Sequence, residues 1–64
     1  MTPPTVDQQI SEVQREIALR ENVYPRWIES GRLTKQKAEH QITCMKAVLG
    51  TLMAVKALSG PKVR

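Results

Sequence analysis

The fold of this chain is decided at residues 24–34, YPRWIESGRLT, where one helical pattern ends and a second begins. Gly31 accepts the left-handed backbone conformation that commonly follows the last residue of a helix. Thr34 has the short hydroxyl side chain that caps the first turn of a helix. Because a short connection makes two long helices antiparallel neighbours, the sequence predicts an all-α fold, an antiparallel two-helix hairpin.

The first helix is predicted over residues 6–30, preceded by a disordered arm at residues 1–4. Thr5 and Gln8 have the spacing of a capping box, in which each side chain bonds the other residue's backbone N–H. Pro25 removes one backbone hydrogen bond and crowds the preceding turn, so we expect a kink there. Two separate helices are the alternative. Apolar residues recur every three or four positions, as on one face of a helix: Val6, Ile10, Val13, Ile17, Tyr24, Trp27 and Ile28.

A second helix is predicted over residues 35–58, followed by a basic tail at residues 59–64. Its apolar residues form two adjacent rows, which together are wider than the surface that one partner helix covers. The first row consists of Ala38, Ile42, Met45, Leu49 and Leu52. The second row consists of Cys44, Val48, Val55 and Leu58. Since a lone hairpin leaves the second row uncovered, we expect a homodimer with a four-helix arrangement.

Gly50 stands inside the second helix, where glycine costs about 1 kcal/mol relative to alanine. This glycine belongs to a row of small side chains that also contains Ala47, Ala54 and Ala57. Such a row lets another helix approach closely. The alternative is a glycine on an exposed face with no packing role. The residues predicted to pack in the core or the dimer are Ile42, Met45, Val48, Leu49, Gly50, Leu52 and Val55.

The length of 64 residues allows a single domain with a marginal core. Cys44 is the only cysteine and His40 the only histidine, so neither a disulfide nor a complete zinc site forms within one chain. The two residues lie four apart, and two such pairs could meet as a zinc site in a dimer. A polar residue beside a small buried thiol is the simpler interpretation. We predict no metal and no cofactor, which leaves association as the means of stabilisation.

The sequence lacks the patterns that mark an enzyme. No pair of carboxylates stands in an apolar setting, and no glycine-rich phosphate loop occurs. A helical hairpin of this size also has little concave surface with which to enclose a substrate. We therefore predict a protein without catalytic activity.

Charge is divided unevenly along the chain. Residues 1–31 carry three arginines against five acidic residues, a net charge of −2, whereas residues 32–64 carry seven basic residues against one glutamate, a net charge of +6. Opposite charges favour docking of the two halves against each other. The competing hypothesis is attraction of nucleic acid, for which the basic residues nearest the turn are the candidates: Arg26, Arg32, Lys35 and Lys37.

No membrane partner is predicted. The longest apolar stretch, residues 47–55, lies between Lys46 and Lys56 and is much shorter than the ~20 residues of a membrane span. The first residues lack the basic and apolar regions of a secretory signal. The chain is therefore expected to be soluble and cytoplasmic.

Tyr24, Arg26, Trp27 and Arg32 are the candidate partner-binding residues. Tyrosine, tryptophan and arginine dominate the binding energy of protein–protein interfaces. The chain has no other aromatic residue, so the alternative is that both rings belong to the core. We expect a core role for at least one ring, with its polar edge free to reach a partner.

The same region carries a resemblance to short proteins of temperate phages and prophages. The similar residues lie within positions 20–45, at Arg20, Glu21, Val23, Tyr24, Pro25, Trp27, Gly31, Leu33, Thr34, Ala38, Gln41, Ile42 and Met45. Within that group the chain most resembles the anti-quorum-sensing (anti-activator) family. Members of this family bind a LuxR-type transcription factor and can engage a pilus-assembly ATPase.

The resemblance implies a phage-encoded inhibitor that acts on a host protein in the bacterial cytoplasm. It carries over no binding residues. Steric occlusion of a functional surface is the mechanism open to so small a chain. The first alternative is a nucleic-acid-associated regulator that acts through the basic second half. A structural or assembly component of the virion is the second.

Overall fold

A computed structural model describes residues 2–58, which form two helices. Helix α1 spans Val6–Glu29 and helix α2 spans Lys35–Leu58, with 24 residues in each. They pack against each other as an antiparallel hairpin, which confirms the predicted all-α hairpin. The observed helix bounds equal the predicted ones except at the end of α1, which is Glu29 rather than residue 30. The predicted basic tail at residues 59–64 lies outside the described residues.

The capping residues predicted from the sequence begin both helices. The Thr5 hydroxyl oxygen accepts a hydrogen bond from the Gln8 backbone N–H at 3.0 Å, and Gln8 Oε1 accepts one from the Thr5 N–H at 2.9 Å. This reciprocal pair is a complete capping box. At the start of α2, the hydroxyl oxygen of Thr34 accepts a hydrogen bond from the Lys37 N–H at 3.1 Å. Both caps satisfy backbone donors that the helices themselves leave free.

Helix α1 ends in a Schellman motif, the commonest way in which glycine terminates a helix. Gly31 has a φ of 82°, in the left-handed region, and its N–H donates to the carbonyl of Ile28 at 3.1 Å. The N–H of Arg32 donates to the carbonyl of Trp27 at 2.8 Å. These bonds reverse the chain within a few residues, and they require glycine at position 31 because other residues are strained at this φ.

Pro25 lies inside α1, and the helix continues through it to Glu29. The alternative of two separate helices therefore does not occur. The proline is exposed and stands in the last two turns of the helix. The predicted kink at Pro25 stays a prediction.

The core is a narrow seam between the two helices. Ile17 and Tyr24 of α1 and Ala38 of α2 are buried. The remaining apolar residues of the seam are half-buried, because the hairpin has no third element to cover them. On α1 and in the connection they are Val6, Ile10, Val13, Val23, Ile28 and Leu33, and on α2 they are Ile42, Met45, Leu49 and Leu52. The first row predicted for α2 is thus the row that packs on α1.

Two ion pairs join the helices across this seam. Lys46 Nζ lies 3.3 Å from a carboxylate oxygen of Glu21, and Lys56 Nζ lies 2.7 Å from one of Asp7. Each pair joins the acidic first half of the chain to the basic second half. These contacts have the sense that the opposite charges of the two halves predict.

Helix α2 also meets, by length and composition alone, the requirements for crossing a membrane. The uninterrupted apolar stretch at residues 47–55 is too short for a span, but the helix that contains it is longer and has few charged residues. A single such helix is weak evidence, because the core helix of a soluble protein meets the same requirements. The absence of a membrane partner stays a prediction.

Candidate partner-binding site

The connection between the helices is held together at the carbonyl oxygen of Trp27. The backbone N–H of Arg32 donates to this oxygen at 2.8 Å and that of Leu33 at 3.2 Å. The hydroxyl of Ser30 donates to it as well, at 3.2 Å. Three donors on one acceptor fix the backbone of Arg32 beside that of Trp27. Residues 26–37, here called the turn end, therefore form a well-supported surface rather than an open loop.

The two aromatic rings of the chain have different environments. Tyr24 is only 6% exposed, and its hydroxyl donates a hydrogen bond to Oε1 of Gln41 on α2 at 2.7 Å. Trp27 is 40% exposed, and its ring lies against that of Tyr24 with the centroids 5.7 Å apart and the planes tilted by 35°. Tyr24 is thus the ring that belongs to the core, as expected for at least one of the two. Its burial leaves Trp27 as the ring that a partner can reach.

The candidate arginines Arg26 and Arg32 are both exposed. Lys35 and Lys37, in the first turn of α2, are exposed as well. None of these four side chains lies within ion-pair distance of an acidic group anywhere in residues 2–58. Four cations are thus available at the turn end.

Apart from Glu39, the charged side chains that the structure describes outside the turn end are paired. Besides the two ion pairs between the helices, α1 carries the pairs Glu12–Arg15 and Glu16–Arg20, the second with an N–O distance of 2.9 Å. The hydrogen bond from Arg15 lowers the pKa of the Glu12 carboxyl, and the bond to Glu16 raises the pKa of Arg20. Within residues 2–58, the middle and far end of the hairpin therefore offer a partner few charges that are not already paired.

A groove beside Trp27 was not predicted from the sequence. Its volume is about 240 Å³, and it is lined by the apolar side chains of Leu19, Val23 and Trp27 together with the polar or charged side chains of Glu16, Arg20, Tyr24 and Gln41. Leu19 is 46% exposed although it is apolar. The spacing of four between Leu19, Val23 and Trp27 is the signal that could have revealed this second apolar strip on α1. The contribution of Gln41 has no sequence signal, because it depends on how the two helices face each other.

The residues predicted to pack in the core or the dimer divide into two groups. Four of them pack against α1 and are half-buried: Ile42, Met45, Leu49 and Leu52. Val48 and Val55, from the second row, are exposed, as are Cys44 and Leu58. A Cβ atom added at Gly50 would meet nothing within 4 Å. Gly50 therefore does not mark a close crossing within the hairpin, and its predicted role in a dimer stays a prediction.

His40 and Cys44 lie together on the surface of α2. The Cys44 sulfur is 3.5 Å from Nε2 of His40, and both residues are exposed. The thiol is therefore not the buried group that the simpler interpretation expected. Within residues 2–58, no group of three or more histidine, cysteine, aspartate or glutamate side chains is placed to hold a metal ion.

Comparison of the chain with protein-family models, with curated proteins and with solved structures finds no match.

Proposed function

We propose that this protein binds a host protein and inhibits it by covering a functional surface. The observation that carries the proposal is the composition of the turn end, which holds the exposed Trp27 and two exposed arginines, Arg26 and Arg32, that have no ion-pair partner among the described residues. Trp27, Arg26 and Arg32 belong to the residue types that supply most of the binding energy in protein interfaces.

Pre-organisation supports this role. The backbone hydrogen bonds to the Trp27 carbonyl fix the turn end, and the buried ring of Tyr24 packs against the indole ring. A surface that is already ordered loses less conformational entropy on binding, which favours affinity. Tyr24 contributes through this support rather than through direct contact with the partner.

The resemblance to the anti-activator family supports a LuxR-type quorum-sensing transcription factor, a pilus-assembly ATPase or both as the targets. It also supports a phage origin and action in the cytoplasm of the bacterial host. We propose that the protein has no catalytic activity and needs no cofactor. Occlusion by a rigid hairpin requires neither.

We further propose that the protein acts as a homodimer with a four-helix arrangement. The support comes from the second row of α2, where Val48 is 46% exposed and Leu58 is more exposed still. Exposed apolar side chains that recur along one side of a helix favour an interface there. Light scattering at micromolar concentration should give the mass of two chains. A monomer mass, with the chain still helical by circular dichroism, would contradict the homodimer.

The test of the inhibitor role begins with capture of the partner from host lysate and its identification by mass spectrometry. Binding of that purified protein is then measured by calorimetry. Arg26→Ala should weaken binding by about 1 kcal/mol or more and leave the melting temperature nearly unchanged, because Arg26 is exposed and has no ion-pair partner among residues 2–58. The matched control is Arg15→Ala, an exposed arginine far from the turn end. If Arg26→Ala and Arg32→Ala both bind like the wild type, the interface lies elsewhere.

A nucleic-acid-associated regulator is the second candidate function. The same four cations at the turn end favour it, because phosphate contacts by lysine and arginine dominate affinity for nucleic acids. DNA binding that weakens steeply with salt, without any protein partner, would select this function over the first.

A further inference from the structure

We infer that the turn end is built to dock on an acidic segment of a partner protein, with an apolar side chain of that segment placed in the groove beside Trp27. This inference rests on the proposed function and specifies the chemistry of the partner. The charged side chains of residues 2–58 fall into two sets: the paired set has ion-pair partners and the unpaired set has none among these residues.

The paired set occupies the length of the hairpin away from the turn. Four acidic and four basic side chains neutralise one another there, one to one. The pairs are Asp7–Lys56, Glu12–Arg15, Glu16–Arg20 and Glu21–Lys46. Because each of these cations already has a carboxylate, this part of the molecule attracts an acidic partner only weakly.

The unpaired set lies at or next to the turn end. It contains every remaining cation of residues 2–58, namely Arg26, Arg32, Lys35 and Lys37. It also contains two carboxylates without an ion-pair partner, Glu29 and Glu39. The unpaired set therefore has an excess of two positive charges, and its four cations all lie within the turn end.

Two of these cations, Lys35 and Lys37, oppose the dipole of the helix in which they stand. Lys35 and Lys37 stand in the first turn of α2, which contains no acidic residue. The N-terminus of a helix carries a partial positive charge, so cations there are unfavourable unless an anion approaches from outside. An acidic partner would supply that anion and would relieve the repulsion.

The observations favour a protein over a nucleic acid. A nucleic acid presents negative charge uniformly, about one charge per 1.7 Å of duplex, and would be repelled by Glu29 and Glu39. A protein segment can place a cation opposite these carboxylates while its acidic residues face the lysines and arginines. It can also place an aliphatic side chain against Leu19, Val23 and Trp27 in the groove of about 240 Å³, where Glu16 and Arg20 already neutralise each other.

The experiment is a titration of the isotope-labelled full chain followed by NMR. The first probe is a short synthetic peptide of glutamate pairs alternating with leucine, and the second is a peptide of the same length in which lysine replaces glutamate. A short DNA duplex is the third probe. Each is added at low salt and at physiological salt, between which the screening length falls from about 30 Å to about 8 Å.

We expect the acidic peptide to shift the indole signal of Trp27 and the amide signals of residues 26–37, and we expect high salt to reverse these shifts. The lysine peptide should leave the same signals unchanged. Three results would overturn the inference: no shift with the acidic peptide, shifts confined to the second row of α2, or tighter binding of the DNA duplex at the turn end.

A pair of matched variants tests the role of the unpaired charge itself. Arg32→Gln and Arg15→Gln remove the same charge from the same residue type, one at the turn end and one within the paired set. Arg32→Gln should weaken binding of the acidic peptide by about threefold, the order expected for one exposed charge pair. Arg15→Gln should bind it like the wild type. Equal weakening by both variants would show that only net charge matters, and the inference would be wrong.

The peptide titration and the capture of a host protein can fail independently of each other. A host protein that binds through another face would support the inhibitor role while the peptide titration fails. An acidic peptide bound at the turn end, with no host protein captured, would support the inference and contradict the inhibitor role.

Discussion

Helices α1 and α2 have the same length and pack on each other, yet the hairpin covers them to different degrees. The main apolar stripe of α1 lies in the seam, where Ile17 and Tyr24 are buried. Helix α2 has two apolar rows, and only the row that contains Ala38 faces α1. The second row remains exposed, with Val48 as its clearest example. One neighbouring helix covers most of a single apolar stripe, whereas a helix with two apolar rows needs a second neighbouring helix to cover both.

Because of this difference, the stability of the hairpin and its association with a second copy should depend on different residues. Residues of the seam should determine whether the hairpin folds, and exposed residues of α2 should determine whether two copies meet. Charged and aromatic residues at the turn end belong to neither group, because they are exposed and lie beyond the seam. Substitutions in the three regions should therefore change different measurements.

The largest effect is expected for Ile17→Ala, in the seam of α1. Removing a buried isoleucine side chain typically costs about 2–5 kcal/mol, a large share of the stability of a chain of this size. Thermal and denaturant unfolding followed by circular dichroism should show the loss. Leu19→Ala is the matched control on the same helix, and it should cost much less because Leu19 is 46% exposed. Equal losses would mean that Leu19 is covered in the assembled protein.

A smaller effect with an informative sign is expected for Gly50→Leu, on the outer side of α2. Within one chain, a side chain at this position meets open space, and the gain in helix propensity should stabilise by up to about 1 kcal/mol. In the proposed dimer, overpacking should cost about 1–3 kcal/mol. Melting measured over a range of concentrations, together with light scattering, distinguishes the two. A higher melting temperature at every concentration would mean that Gly50 is exposed in the assembly too.

Tyr24→Phe should destabilise the hairpin by about 1 kcal/mol. The substitution keeps the buried ring and removes only the hydroxyl that donates to Gln41 at 2.7 Å. Chemical denaturation provides the measurement, and Gln41→Ala combined with Tyr24→Phe provides the control. If the hydrogen bond carries the effect, the double variant should lose less than the sum of the single losses.

The smallest effect concerns the exposed pair Glu12–Arg15 on α1. The hydrogen bond from Arg15 lowers the pKa of Glu12. A carboxyl whose pKa is lowered by folding stabilises the protein above its unfolded-state pKa, and this contribution is lost as the pH falls through the folded-state pKa. Glu12→Gln should therefore leave the melting temperature at neutral pH almost unchanged and slightly reduce the loss of stability in acid. Steeper acid unfolding of Glu12→Gln than of the wild type would contradict this assignment.

Much of the candidate site was visible in the sequence, though not its arrangement. Trp27, Arg26 and Arg32 were identified from their residue types, and the structure places all three in exposed positions at the turn end. Tyr24 was grouped with them, but its ring fills the seam. The groove lined by Leu19 and Gln41 was missed, since it exists only where one helix faces the other.

The sequence by itself determined the two helices, their bounds and their antiparallel order. The capping box at Thr5, the cap at Thr34 and the glycine turn at Gly31 act between residues a few positions apart, so local chemistry is enough to specify them. Tertiary structure alone decided which aromatic ring is buried and which cations of residues 2–58 lack an ion-pair partner. Those outcomes depend on the rotation of each helix about its own axis, which is fixed only when the seam packs and Lys46 and Lys56 reach carboxylates on the opposite helix.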